Sequence, residues 1–223
     1  MKRFWQFLSM VLIGLMVSCG GSQYWAYTIN EAPDHITHAT YIPIWVDQGF
    51  SASQVEEIKA AIAEWNYVLN GQIILRLVEK KALGIDKKMH TYPDTFPDWE
   101  AGQVLQAQAE KTGLGWVIYD LPSTDKHLDK SVGHGVLAFV PGSDAHCVTV
   151  ITDRFSNRSM KDVIMHEFAH LLGAEHVNAP SLEYPYYGTK QYPCIDKITV
   201  AQVAEERGLD MNNLNYCITP HFE

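Results

Sequence analysis

Residues 166–176, HEFAHLLGAEH, constrain this chain more than any other stretch. His166 and His170 are four residues apart, a spacing that on a helix projects both rings from one side, one turn apart. Two imidazole nitrogens so placed can share one metal ion. Zinc suits them, because it accepts neutral imidazole at about 2.0–2.1 Å and tolerates an open coordination position. Glu167, on the rim of the same face, can reach a metal-bound water without being a ligand and take its proton. Gly173 lets the helix end through the left-handed region, where a Cβ would be penalised. His176 then returns as a third ligand from outside the helix. Three imidazoles leave a fourth position for water, which a closed structural site would have filled. The expected cofactor is one catalytic Zn2+.

The motif needs a capped helix following a strand. Ser159-Met-Lys-Asp162 reads as a capping box that opens a helix to about Leu172, with Ile164, Phe168, Leu171 and Leu172 on its core-facing stripe. Upstream, Cys147 to Thr152 reads as a strand, as do Ala39–Val46, Ile73–Val78, Gly115–Tyr119 and Val136–Val140. Pro43 hints at an edge position for the first of these. Val55, Ile58, Ile62, Trp65 and Leu69 recur at helical spacing, so Ser51 or Ser53 caps a backing helix that ends at Asn70-Gly71. Residues 84–99 look like a surface loop, and a short helix is expected over Trp99–Lys111. Thr199-Val-Ala-Gln202 reads as a further capping box, opening a C-terminal helix to about Arg207 with Val200, Val203 and Ala204 turned inward. The predicted fold class is α/β (α+β), a mixed twisted sheet with an active-site helix, a backing helix and a C-terminal helix.

The chain has 223 residues, 47% of them hydrophobic and 19% charged, which argues for a folded domain. Its net charge of −9 and the lack of a Lys/Arg block argue against a nucleic-acid partner. Lys2 and Arg3 precede an apolar run from Phe4 to Val17 that suits a signal peptide better than a membrane span. Removing residues 1–18 takes away those two cations and brings the net charge of −9 to −11. Met16-Val17-Ser18-Cys19-Gly20 resembles the lipobox of bacterial lipoproteins, which implies acylation of Cys19 and a membrane anchor. The outer membrane is expected, by resemblance to lipoproteins that lack Asp after the cysteine. The domain reading is a signal peptide over 1–18, a lipid-anchored tether over 19–38 and a catalytic domain over 39–223. Export implies an oxidising compartment, where a disulfide between Cys194 and Cys217 is expected, although spacing alone leaves the pairing open. Cys147 lies in an apolar run and reads as a buried thiol.

His166-Glu167-x-x-His170-x-x-Gly173-x-x-His176 resembles the zinc signature of the metzincin metalloproteases, and within them the chain looks most like a matrixin. Val136–Gly142, Asp144-Ala-His146 and Ser181–Tyr187 are similar to the stretches that flank the active-site helix in that family. The resemblance implies endopeptidase activity, with the substrate extended along an edge strand. It also implies that Tyr184, Pro185, Tyr186 and Tyr187 line the pocket for the residue after the scissile bond. The methionine of the family's turn below the zinc is absent, and Glu183 stands in its place. Either Glu183 points at the metal site, or it turns outward and Leu182 supplies an apolar floor. The second is expected, because an apolar side chain there avoids a desolvation cost. His127, Asp129, His134 and His146 are candidates for a second, structural zinc, but the family's ligand set is incomplete and solvated histidines are the default.

These features together predict a zinc-dependent endopeptidase that hydrolyses peptide bonds with a zinc-activated water and Glu167 as general base. Its partners are a protein or peptide substrate and a membrane reached through the lipid anchor. The alternative is an inactive metzincin-like lipoprotein that binds protein or zinc without cleavage.

Overall fold

Ser51 and Gln54 set the start of the first long helix. The Ser51 hydroxyl accepts from the Gln54 N–H at 3.3 Å, and the Gln54 side chain accepts from the Ser51 N–H at 2.7 Å, so two amides that the helix itself leaves unpaired are bonded reciprocally. The helix, α1, runs over Ala52–Leu69 and ends at Asn70, which takes the left-handed conformation with φ 46°. Ile58, Ala61, Ile62, Trp65, Val68 and Leu69 form its buried stripe.

The structure is a computed structural model and describes residues 26–27, 39–78, 115–120, 136–140, 145–155, 158–186 and 193–218. The strands are β1 (Ala26–Tyr27), β2 (Thr40–Val46), β3 (Ile73–Leu77), β4 (Trp116–Asp120), β5 (Ala138–Phe139), β6 (Cys147–Val150) and β7 (Cys217–Ile218). Two further helices, α2 (Met160–Leu171) and α3 (Lys197–Arg207), follow β6. The architecture is mixed α/β. Five strands form one sheet in the order β3-β2-β4-β6-β5, with β5 the antiparallel member at one edge and the other pairings parallel. The helix expected over Trp99–Lys111 and the loop over 84–99 lie outside the described residues.

Three readings change. β2 is an inner strand, paired with β3 on one side and β4 on the other, rather than an edge. Pro43 is tolerated because the ladder with β4 begins only at Ile44 opposite Trp116. Gly115, with φ 82°, passes so close that a Cβ there would lie 2.5 Å from the Pro43 carbonyl oxygen. Next, α3 begins at Lys197 with Asp196 as its cap, three residues before the expected cap at Thr199, and Thr199 is a buried residue within it. Finally, Ala26–Tyr27, inside the expected tether, pairs antiparallel with Cys217–Ile218.

The core lies between the sheet and the α1–α2 pair. Trp65 of α1 is fully buried and its indole N–H donates to the Met165 carbonyl at 3.0 Å. Met160, Ile164 and Phe168 of α2 are buried beside it, and Phe168 meets the Trp116 ring of β4 at 5.7 Å. Each such apolar side chain contributes about 1.5–3 kcal/mol by leaving water. Glu57 of α1 accepts from the Met160 and Lys161 N–H groups at 2.7 and 3.1 Å. A carboxylate from one helix therefore caps the positive end of the other and fixes where α2 starts. Ser159 adds an acceptor for the Asp162 N–H at 3.2 Å. On the far sheet edge, the Asn66 amide bonds both backbone groups of Leu75, at 2.9 and 2.7 Å, and closes β3 at that point. No described helix is long and apolar enough to cross a membrane.

Candidate metal centre

α2 carries His166, Glu167 and His170, and its C-terminus determines where His176 goes. The helix closes with the Gly173 N–H bonded to the His170 carbonyl at 3.0 Å and the Ala174 N–H to Ala169 at 2.9 Å. This paired pattern is the Schellman motif, with its glycine in the left-handed region, here at φ 99°. A Cβ at Gly173 would also overlap the Glu206 side chain of α3. Arg207 of α3 donates to the Leu172 and Leu171 carbonyls at 3.1 and 2.5 Å, bonding acceptors left over at the helix end. Gln202 accepts from the Glu175 N–H at 2.7 Å. α3 thus holds the chain reversal that returns His176 toward the helix.

Among the described residues, His166, His170 and His176 form the one group able to hold a metal ion. His176 Nε2 lies 3.2 Å from Nε2 of His166 and 3.2 Å from Nε2 of His170. Donors bound tetrahedrally at about 2.0–2.1 Å to zinc stand roughly 3.3–3.4 Å apart, so the observed spacing fits that ion. The far nitrogens explain why the donor atoms are available. His166 Nδ1 bonds the Leu182 carbonyl at 2.8 Å and His170 Nδ1 bonds the Ala174 carbonyl at 2.8 Å. A carbonyl can only accept, so each Nδ1 carries the proton and each Nε2 keeps its lone pair. His166 is 7% exposed, and its pKa is pushed down to about 3 by burial and then by the neighbouring His170. Burial also lowers His170 and His176. Neutral imidazoles are the form a cation requires.

Glu167 is buried rather than on the rim, at 5% exposure, and burial pushes its carboxyl up to about 8. Glu183 differs more from expectation. It does not turn outward: Leu182 and Glu183 are both completely buried. Leu182 supplies the carbonyl under His166, while Glu183 Oε1 and Oε2 lie 3.4 and 3.3 Å from Nδ1 of His166 and His170. Burial raises the Glu183 carboxyl well above the usual range, reinforced by Glu167 and Asp196. The outward reading failed because this turn is clamped at both ends. Ser181 Oγ, the Leu182 N–H and Thr199 Oγ1 all donate to Asp196 Oδ2, at 2.8, 2.7 and 3.1 Å. The Val177 N–H donates to the Glu183 carbonyl at 3.0 Å. Asp196 was not singled out by sequence, although an Asp three residues before Thr199 is itself a helix-capping signal.

The remaining sites are placed as follows. Tyr184 and Tyr186 meet edge-on with ring centroids 5.9 Å apart, Pro185 and Tyr186 are exposed, and Tyr187 lies outside the described residues. Cys194 and Cys217 are joined by a disulfide, and Cys147 is a buried thiol. His146 is exposed, whereas His127, Asp129, His134 and Cys19 lie outside the described residues.

No family model matches the chain. No curated protein matches it either. Among solved structures it is similar to archaemetzincin from Methanopyrus kandleri, with TM-score 0.47 and 9% identity over 76% of this chain and 96% of that one. It is similar to metalloproteinase-II from Bacteroides fragilis, with TM-score 0.45 and 15% identity over 80% of this chain and 56% of that one. The hatching enzyme HCE-1, a zinc-protease from Oryzias latipes, gives TM-score 0.29 and 16% identity over 62% of this chain and 46% of that one.

Proposed function

We propose that the chain is a zinc-dependent endopeptidase of the metzincin type, with one zinc held by His166, His170 and His176. The observation that carries this is that His176 Nε2 lies 3.2 Å from Nε2 of both His166 and His170, whose Nδ1 protons are already engaged by backbone carbonyls. Zinc, when bound, supplies Lewis acidity and lowers the pKa of a water toward about 7. Glu167 takes a proton from the attacking water on its carboxylate and delivers it to the departing amine nitrogen. Burial pushes that carboxyl up to about 8 and so makes its carboxylate a stronger base, while a bound dication would favour the ionised form that the proton transfer needs. The histidines orient the ion, and Leu182 and Ala174 orient two of the histidines. Tyr184, Pro185 and Tyr186 form the wall of the substrate pocket. Residues 39–223 are the catalytic domain.

The test is a peptide-library digest beside elemental analysis. The parent protein carries one zinc and cleaves, His170→Ala loses zinc, and Glu167→Ala keeps zinc while cleavage falls about 10²–10⁴-fold. A parent without zinc sinks the reading. A parent with zinc that cleaves nothing favours a binding lipoprotein instead.

Anchoring is part of the same proposal. Residues 1–18 export the chain, and acylated Cys19 holds it at a bacterial outer membrane. The support is the Lys2-Arg3 start, the apolar run and Ser18-Cys19-Gly20. Cys19→Ala protein should leave the membrane fraction, and its full retention there would count against the anchor.

A further inference from the structure

Glu183 is a buried carboxylate that the peptidase reading leaves unused. Its side chain is fully buried, and neither oxygen has a hydrogen-bond partner. Such a group is costly unless a charge or donor compensates it.

The geometry identifies what the carboxylate faces. Oε1 lies 3.4 Å from Nδ1 of His166 and Oε2 lies 3.3 Å from Nδ1 of His170. Both nitrogens are donors, with their protons directed at the Leu182 and Ala174 carbonyls. Each Glu183 oxygen therefore faces an N–H-bearing nitrogen of a different ring. The carboxylate contacts the side of each ring away from Nε2, so it is not a metal ligand. The three imidazoles are neutral and cannot balance it. A dication bound at their Nε2 atoms can, because it polarises both rings and makes their N–H groups more positive. The backbone holds Glu183 in place, through its N–H to Ser181 Oγ at 3.2 Å and its carbonyl from the Val177 N–H at 3.0 Å.

Resting on the metal reading above, we infer that Glu183 is a positioning residue of the metal centre: its carboxylate, placed behind the rings of His166 and His170, raises the affinity of the three-histidine site for a divalent cation. The cost is borne by the cation-free protein, which keeps a buried carboxyl group with neither oxygen hydrogen-bonded.

The experiment compares the full chain with Glu183→Gln, which keeps the shape, and Glu183→Met, which fills the site without charge. Zinc affinity is measured by competition with a chromophoric chelator. Cobalt(II) absorption reports the ligand field, and urea midpoints are taken with and without zinc. Glu183→Gln should weaken zinc about 10–100-fold and shift the cobalt bands. Both variants, when zinc-free, should unfold at or above the parent's urea midpoint, and zinc should raise their midpoints less than it raises the parent's. Equal zinc affinity and identical cobalt spectra in parent and Glu183→Gln would overturn the inference while leaving the metal site standing. So would a drop in zinc-free midpoint for both variants in step with the lost affinity, which would make Glu183 a structural filler. A parent that binds neither ion would overturn the metal reading itself.

Discussion

Ser181 and Asp196 share a buried 2.8 Å hydrogen bond that ties the turn under the histidines to the start of α3. Asp196 also accepts from the Leu182 N–H and Thr199 Oγ1, and its other oxygen caps the Ile198 and Thr199 amides at 2.9 and 3.3 Å. Asp196→Ala loses a helix cap, worth about 0.5–2 kcal/mol. It also leaves buried donors unsatisfied at about 1–3 kcal/mol each. The expected destabilisation is about 3–5 kcal/mol in urea unfolding, with weaker zinc binding because the Leu182 carbonyl under His166 shifts. A loss below about 1 kcal/mol would show that the clamp is dispensable.

Gly173→Ala places a side chain where the backbone has φ 99° and where Glu206 already packs. Left-handed strain in a non-glycine residue costs about 1–3 kcal/mol. The expected outcome is a loss of that size together with reduced zinc affinity, since His176 is positioned by this turn. The double variant Gly173→Ala/Glu206→Ala relieves the overlap but not the strain, so it should recover only part of the loss in the same unfolding assay.

Without zinc, stability should depend on pH in two opposing ways. Burial raises Glu167 from 4.5 to about 8, so the folded state holds its proton more tightly than the unfolded chain does. That contribution is complete below about pH 4.5 and is lost as pH rises through 8. His166 is lowered from 6.5 to about 3, so its contribution is present above pH 6.5 and lost as pH falls through 3. Chelator-treated protein should therefore be most stable between roughly pH 4.5 and 6.5 and weaken toward pH 8. Zinc favours ionised carboxylates and deprotonated imidazoles, so it should move the optimum upward. Urea midpoints from pH 4 to 9, with and without zinc, measure this. Identical profiles would contradict it.

The Cys194–Cys217 bond closes a loop with a sequence separation of 23. By the chain-entropy model, removing it should cost about 3 kcal/mol. The Cys194→Ser/Cys217→Ser pair should show that loss in urea unfolding, and reductant should lower the parent by a similar amount. A parent insensitive to reductant and to both substitutions would argue against a stabilising role.

Much of the site was legible in the chain because its parts are local. The 166/170 spacing, the terminating Gly173, the Ser159 cap and the apolar stripe of Ile164 and Phe168 lie within one helix and its ends, where a period of 3.6 residues decides direction. Element order and the mixed α/β class were readable for the same reason, since each strand and helix carries its own pattern. Position within the sheet was not. Pro43 suggested an edge, but the neighbours of β2 come from residues distant in sequence, and only the folded sheet shows that Gly115 makes room beside the proline. Glu183 is the sharpest case. Desolvation alone favoured an outward carboxylate, and that local argument was sound. The fold overrides it because Asp196, 13 residues onward, and Val177, before the turn, hold the backbone so that Glu183 faces the two histidines. Sequence determined which groups could bind a metal, whereas tertiary structure decided which carboxylate stands behind them, because that depends on long-range hydrogen bonds no local period encodes.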